Sequence, residues 1–176
     1  MLGHEDTSVQ VAGISNLEFL ARERPDKREI LAQVLVSFIR QRTPLKPEGP
    51  AVGQYLATRC PAAEWALVAL GRTVVSGRWP KRLRLNMLDL TGANLEGLSF
   101  QGADLARSCL DEAFLRDTDL RNAWMPYVSF RATDFGGAHV AGAVVNGADL
   151  SQVRNLDAAS LDALQADAET RWPPRS

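Results

Sequence analysis

The 176-residue chain has little of what marks an enzyme, a metalloprotein or a membrane protein. Its two cysteines, Cys60 and Cys109, lie in different regions and form no CxxC pair, so neither a zinc site nor a disulfide framework is indicated. There is no P-loop and no Rossmann fingerprint, and no cofactor is expected. No run approaches the ~20 apolar residues that span a bilayer, and no charged and then apolar leader opens the chain. A soluble, cytoplasmic protein is the expectation. An excess of charge is missing too: residues 1–80 carry 10 Lys or Arg and 8 Asp or Glu, and residues 81–176 carry 10 and 13. Near-neutral halves lack the basic stripe that direct nucleic-acid binding requires.

What the chain does have is a five-residue beat. Every fifth residue is large and apolar across Leu85, Leu90, Leu95, Phe100, Leu105, Leu110, Leu115, Leu120, Met125, Phe130, Phe135, Val140, Val145 and Leu150. Two residues earlier a small side chain recurs (Ala93, Ala103, Ala113, Ala123, Ala138, Ala143, Ala148), and one residue earlier Asp or Asn recurs (Asp89, Asn94, Asp104, Asp119, Asp134, Asp149). A helix repeats its buried face every 3.6 residues and a strand every two, so five fits neither. If each pentapeptide turns the chain through about a right angle, the large and the small residue both point to one axis and four pentapeptides close a coil. Stacked coils then form a solenoid with parallel rungs.

The unit A(D/N)LxG, whole in Ala93–Gly97, resembles the pentapeptide-repeat family over roughly residues 83–153. That resemblance implies a right-handed quadrilateral parallel β-helix. Residues twenty apart should stack in ladders such as Leu90, Leu110, Phe130 and Leu150. Three to four coils at ~4.8 Å make a prism only about 15–17 Å tall, so both ends need caps.

The flanks are expected to supply them, giving an α+β chain: a helical region over 1–80, the β-helix over 81–154, and a helical cap and tail over 155–176. Ile30, Leu31, Val34, Leu35, Phe38 and Ile39 have the spacing of an amphipathic helix, with Asp26 and Glu29 as a capping box. Thr7 and Gln10 begin an earlier helix carrying Val11, Ile14, Leu17 and Leu20, the two pairing as a hairpin. Residues 43–54 read as a Pro/Gly linker, and Pro61 opens a further helix through Trp65, Val68 and Leu70, stopping near Gly71. After the beat breaks at Asn155, Ser160 is placed to cap a short helix through Leu161 and Leu164. Gly13–Arg22, Phe38–Arg40, Ala66–Arg72 and the Asp167, Thr170, Arg171, Pro173 ending resemble actinobacterial members of the same family.

The regularity of the Asp positions points to turn structure rather than catalysis, and no enzyme is expected. Asp119 and His139 stand one rung apart without a nucleophile, and Cys109 reads as a surface thiol. The interruptions carry more information. Phe114 and Trp124 replace the usual Asp or Asn, Pro126 and Tyr127 follow, and all are expected to face outward. Arg107 lies one rung from Tyr127, within cation–π reach, and Asp111 one rung from Arg131, within salt-bridge reach. Phe114, Trp124, Pro126, Tyr127, His139 and Arg107 are the candidate interaction surface, because exposed aromatics and Arg are enriched at interface hot spots.

The expected role is a non-catalytic protein–protein interaction or scaffold module, its partner another protein or a second copy of itself. The family resemblance implies an alternative, an acidic DNA mimic that protects DNA gyrase. Duplex DNA carries about one negative charge per 1.7 Å, which the near-neutral second half does not approach. A third reading is a small-molecule binder in the cleft between helices and solenoid.

Overall fold

The computed structural model describes residues 6–46, 49–50, 53–73 and 82–174. Helices α1 (Thr7–Glu23), α2 (Arg28–Arg42), α3 (Leu56–Arg59) and α4 (Pro61–Arg72) precede the repeat, and α5 (Ala158–Asp162) follows it. The expected boundary at 80–81 lies outside the described residues, as do positions 47, 48, 51 and 52 of the expected linker.

Between Arg84 and Arg154 the chain coils with a period of twenty. Parallel bridges join Arg84 to Asp104 to Trp124 to Val144, Asp89 to Cys109 to Ser129 to Asp149, Asn94 to Phe114 to Asp134 to Arg154, and Ser99 to Asp119 to His139. These four series are four faces. Each face holds one bridging residue between turns rather than an extended strand, because a five-residue side leaves no room for more. The turns are hydrogen-bonded three residues apart, as in Ala93 N–H to Leu90 C=O and Ala103 N–H to Phe100 C=O. Their third residue has positive φ, with Gly92, Gly97 and Gly102 at 64–68°, the signature of type II turns. Inside, the fourteen large residues of the beat are all buried, with the small residues between them. Where Ser or Thr takes the small position, its hydroxyl finds an acceptor in the core: Ser108, Thr118 and Thr133 donate to the carbonyls of Leu85, Leu95 and Leu110 at 2.7–2.8 Å. A buried polar group costs nothing there because it is paired.

The helices sit on the first coil. α4 is buried along nearly its whole length, from Ala62 through Gly71 with Trp65 outside, and α1 and α2 pack on it and on each other. Pro61 is its first residue. Gly71 touches Leu98 so closely that a Cβ there would stand 2.6 Å from the Leu98 Cβ.

The first coil turns three amides away from the solenoid, and the helical region satisfies all three, two with backbone carbonyls and one with a carboxylate. Asp89 N–H donates to the Thr43 carbonyl (2.8 Å), Asn94 N–H to Glu64 Oε1 (2.8 Å), and Ser99 N–H to the Gly71 carbonyl (3.2 Å). Arg40 adds bonds to the carbonyls of Arg84 and Asn86, and Arg59 reaches both the carbonyl and the carboxylate of Asp89. Burial pushes the Glu64 carboxyl up, against the Asn94 N–H and the nearby Arg59.

At the other end the tail behaves as a further, irregular rung. Gln165 bridges Val144 and Arg171 bridges Asp149, both in parallel. Thr170 donates to the Val145 carbonyl, and Asp167 accepts from the Gly147, Glu169 and Thr170 amides. The short helix is only part of this cap.

Several local expectations change. The capping box fails because a 3₁₀ turn, Pro25–Lys27, precedes α2, and Asp26 is held by Arg24 instead. Helix α1 begins at Thr7 as expected, with Asp6 as its cap, whereas the cap of α5 is Asp157 rather than Ser160. Ile30, Val34 and Leu20 are exposed, because each helix needs only a narrow stripe against α4. The Pro/Gly segment is more than a linker, since Pro44 forms an antiparallel bridge with Leu88.

Candidate interaction surface

The repeat decides where each irregular side chain goes. On the Arg84 face, Arg84, Asp104, Trp124 and Val144 succeed one another rung by rung. At the following corner stand Met87, Arg107, Tyr127 and Gly147, the first three with φ of 57–58°. That backbone throws their side chains outward. A Cβ at Gly147 would collide with the Tyr127 ring, so the glycine makes the seat on which the ring lies. Trp124 is 37% and Tyr127 53% exposed. The guanidinium of Arg107 stands 5.7 Å from the Tyr127 ring centre, and that of Arg82 5.8 Å from the Trp124 ring. Both lie within cation–π range.

Beside this face a cleft of about 820 Å³ opens between α2 and the first coils, with Glu29, Gln33, Ser37 and Arg40 on one wall and Arg82, Arg84, Asn86 and Asp104 on the other. Ala32, Val36 and Leu83 give the cleft an apolar lining between these polar groups, and Trp124, Tyr127 and Arg107 form one surface next to it. Met87 and Arg82 belong to it as well. Counting back twenty from Arg107 would have found Met87; Arg82 precedes the beat and had no such signal.

The other candidates do not join them. Phe114 is on the opposite face, half-buried with its ring 5.9 Å from that of Tyr55. Pro126 is buried rather than outward; it occupies the second position of the Met125–Val128 corner, where fixed φ suits the turn. His139 is exposed on a third face, one rung from Asp119. The Asp119 carboxylate is engaged by Arg121 through two bonds of 2.9 and 2.7 Å. Asp111 meets the backbone N–H of Arg131 (2.9 Å) and the Ser129 hydroxyl (2.6 Å), not the Arg131 guanidinium. Cys109 is buried, not a surface thiol. It lies against the Thr91 hydroxyl at 3.3 Å, and burial pushes its thiol up to about 11.

The recurrent carboxylates serve turns and arginines. Asp89, Asp104, Asp119, Asp134 and Asp149 each accept the N–H two residues on. All but Asp104 also face an arginine: Arg59, Arg121, Arg116 and Arg171 respectively. Burial works against the Asp134 carboxyl, yet bonds from Asn155 and Arg116 outweigh it and hold it at about 2. Among the described residues no cluster of His, Cys, Asp and Glu is arranged to hold a metal, and no helix is long and apolar enough to cross a membrane.

Residues 85–122 and 115–152 match the family model for pentapeptide repeats (8 copies). The four-sided coil of this segment is therefore a pentapeptide-repeat β-helix, the class of solenoid built by that family; the helices ahead of it lie outside the match. Among solved structures the chain is similar to the pentapeptide repeat protein Rfr23 from the cyanobacterium Cyanothece 51142, with 22% identity, a TM-score of 0.40, and coverage of 56% of this chain and 69% of that one. HetL, a pentapeptide repeat protein involved in heterocyst differentiation regulation in the cyanobacterium Nostoc sp. strain PCC 7120, is 22% identical over 56% of this chain and 54% of its own, with a TM-score of 0.21. A trypsin-treated form of QnrB1, a plasmid-mediated fluoroquinolone resistance protein, is 16% identical over 49% of this chain and 54% of its own, also at 0.21. The chain thus spans about half the length of these last two. None of the curated proteins compared matches it.

Proposed function

We propose that the protein is a non-catalytic interaction module whose β-helix holds Trp124, Tyr127 and Arg107 rigidly for a protein partner. The observation that carries this reading is the pair of exposed aromatic rings, each with an arginine over it, on one face and its following corner beside a cleft. Rings fixed by a closed coil lose little conformational freedom on binding, which is what favours aromatic anchors at interfaces. In this reading the helices are a cap, the repeat is the display surface and the tail closes the far end. The two free thiols, Cys60 and Cys109, suit a cytoplasmic location, and the helical segments in front suit likeness to actinobacterial members of the family.

Affinity capture from the native cytoplasm tests it. Partner recovery is expected to fall at least tenfold with Trp124→Ala and to be unchanged with His139→Ala, which lies on another face. Equal recovery with both variants would sink the reading.

A gyrase-directed role is the alternative that the family resemblance implies. The paired carboxylates weigh against it, because Arg59, Arg116, Arg121 and Arg171 neutralise most of the acidic series. A supercoiling assay with a quinolone decides: no protection at stoichiometric protein excludes it. The cleft favours one further reading, a small molecule held between α2 and the solenoid; an apolar ligand retained through purification would support that.

A further inference from the structure

From Thr7 to Leu20 the exposed face of α1 has no charge; the charged side chains Arg22 and Glu23 stand only in its last turn. Its exposed positions from residue 7 to residue 20 contain no Asp, Glu, Lys or Arg, although solvent-facing helical surface is ordinarily rich in them. Instead it carries Val9 at 69% exposure, Phe19 at 62% and Leu20 at 45%, with Ala12, Gly13 and Asn16 between. Val9, Gly13, Asn16 and Leu20 follow one another at intervals of four, three and four, the seam spacing of two helices packed side by side. Ile30 and Val34, also exposed, extend the apolar surface on α2, which is joined to α1 by a short turn.

Gly13 is the telling residue. Glycine weakens a helix interior relative to alanine, and here the chain gains nothing from it: its φ is not positive, and a Cβ built on it would meet nothing within 4 Å. The other glycine inside a helix, Gly71, is close-packed, with Leu98 against it, and Gly13 has no such neighbour.

We infer that α1 is the contact through which two copies of this chain pair, antiparallel and about a two-fold axis near residues 14 and 15. In that register Val9 lies over Leu20 of the second copy and Gly13 over Asn16, so a large residue meets a large one and the missing Cβ admits the amide. The relation is isologous, each contact occurring twice. The five exposed apolar side chains leave on the order of 480 Å² open, toward the upper end of the largest patch on a typical monomer. Doubled by symmetry this is about 1,000 Å² of apolar area, and with its polar rim it reaches the ~1,200 Å² at which stable interfaces begin. The Trp124 surface is not used, so the pairing stands or falls separately from the proposed function.

The test is molar mass by light scattering and sedimentation across a concentration series, on the full chain, Gly13→Glu, Gly13→Ala and Trp124→Ala. The chain is expected to dimerise, with the dissociation constant raised at least tenfold by Gly13→Glu and less by Gly13→Ala, while Trp124→Ala has no effect. Thermal melting should show both Gly13 variants folded, the alanine form being the better helix former. A chain that stays monomeric at high micromolar concentration overturns the inference, as does a dimer indifferent to Gly13→Glu or one lost with Trp124→Ala.

Discussion

The solenoid and its helical cap share one continuous core but are held by different means. In the solenoid each coil meets near-copies of itself, so Phe130 or Leu110 is buried by the same kind of residue above and below. The cap has no such redundancy: Thr43 at the end of α2 and Glu64 and Gly71 on α4 each receive one amide. Periodic contacts are robust in number and severe individually, whereas aperiodic ones are few and specific. Damage to the ladder should therefore exceed damage to the cap, and the two should respond to pH in opposite directions.

The largest effect is expected from Phe130→Ala. The ring is fully buried and edge-on to Phe135 at 5.2 Å, and its loss should cost about 3–5 kcal/mol, read as a fall in the urea midpoint. A loss under 1 kcal/mol would mean that the ladder relaxes around a cavity.

Glu64→Ala ranks next, at about 1–3 kcal/mol, because it leaves the Asn94 N–H without its acceptor. Glu64→Gln keeps the acceptor and separates charge from hydrogen bonding. The folded pKa of Glu64 is raised, so its stabilising contribution is full below the unfolded value and is lost as pH rises through the folded one. The advantage of Glu64→Gln over the native chain should accordingly grow from pH 4 to pH 8; a shrinking gap would contradict the burial of that carboxyl. Asp134 has the reverse sign. With its carboxyl held at about 2, below its ordinary 3.8, its contribution is present above 3.8 and is lost as pH falls through about 2. Hydrogen exchange should show acid loosening the Asp134 face while Glu64 favours retention of the cap.

Gly92→Ala combines a φ of +64° with a Cβ 2.7 Å from the Tyr55 Cα. It should cost roughly 1–2 kcal/mol, and exchange rates should rise around Tyr55 rather than along the ladder. Smallest in stability terms is a chemical comparison. Alkylation should reach half-buried Cys60 first, and Cys109 only at the rate of opening, since it is buried with a thiol at about 11. Equal labelling would mean that the Cys109 face is not covered.

The coil was the most legible part of the chain, because both inward positions of each pentapeptide are written in residue type and the period needs no tertiary information. The limits arise where a residue answers to something other than its repeat. Pro126 looked like an interruption, yet the second position of a type II turn accepts proline readily. Cys109 looked exposed because its repeat position faces outward; its burial follows from packing that the repeat does not encode. The capping box at Asp26 lost to Arg24, a neighbour whose reach depends on the 3₁₀ turn. Of the interaction surface, the Arg107 and Tyr127 pairing was readable at one rung's separation, whereas the cleft beside it depends on how α2 lies across the first coil.

The cap touches the first two coils, reaching the second through Tyr55 against Phe114 and the Gly53 N–H on Glu112, and the tail touches the closing one. A duplication of twenty codons between those two regions would leave both ends with their present neighbours and merely move them about 4.8 Å further apart. The distance between the helical surface and the far end can thus change by inheritance in fixed increments without new packing having to be invented. A stray insertion of one codon, by contrast, would rotate every later side chain out of step. Such a lineage is free to vary its length and strict about its phase.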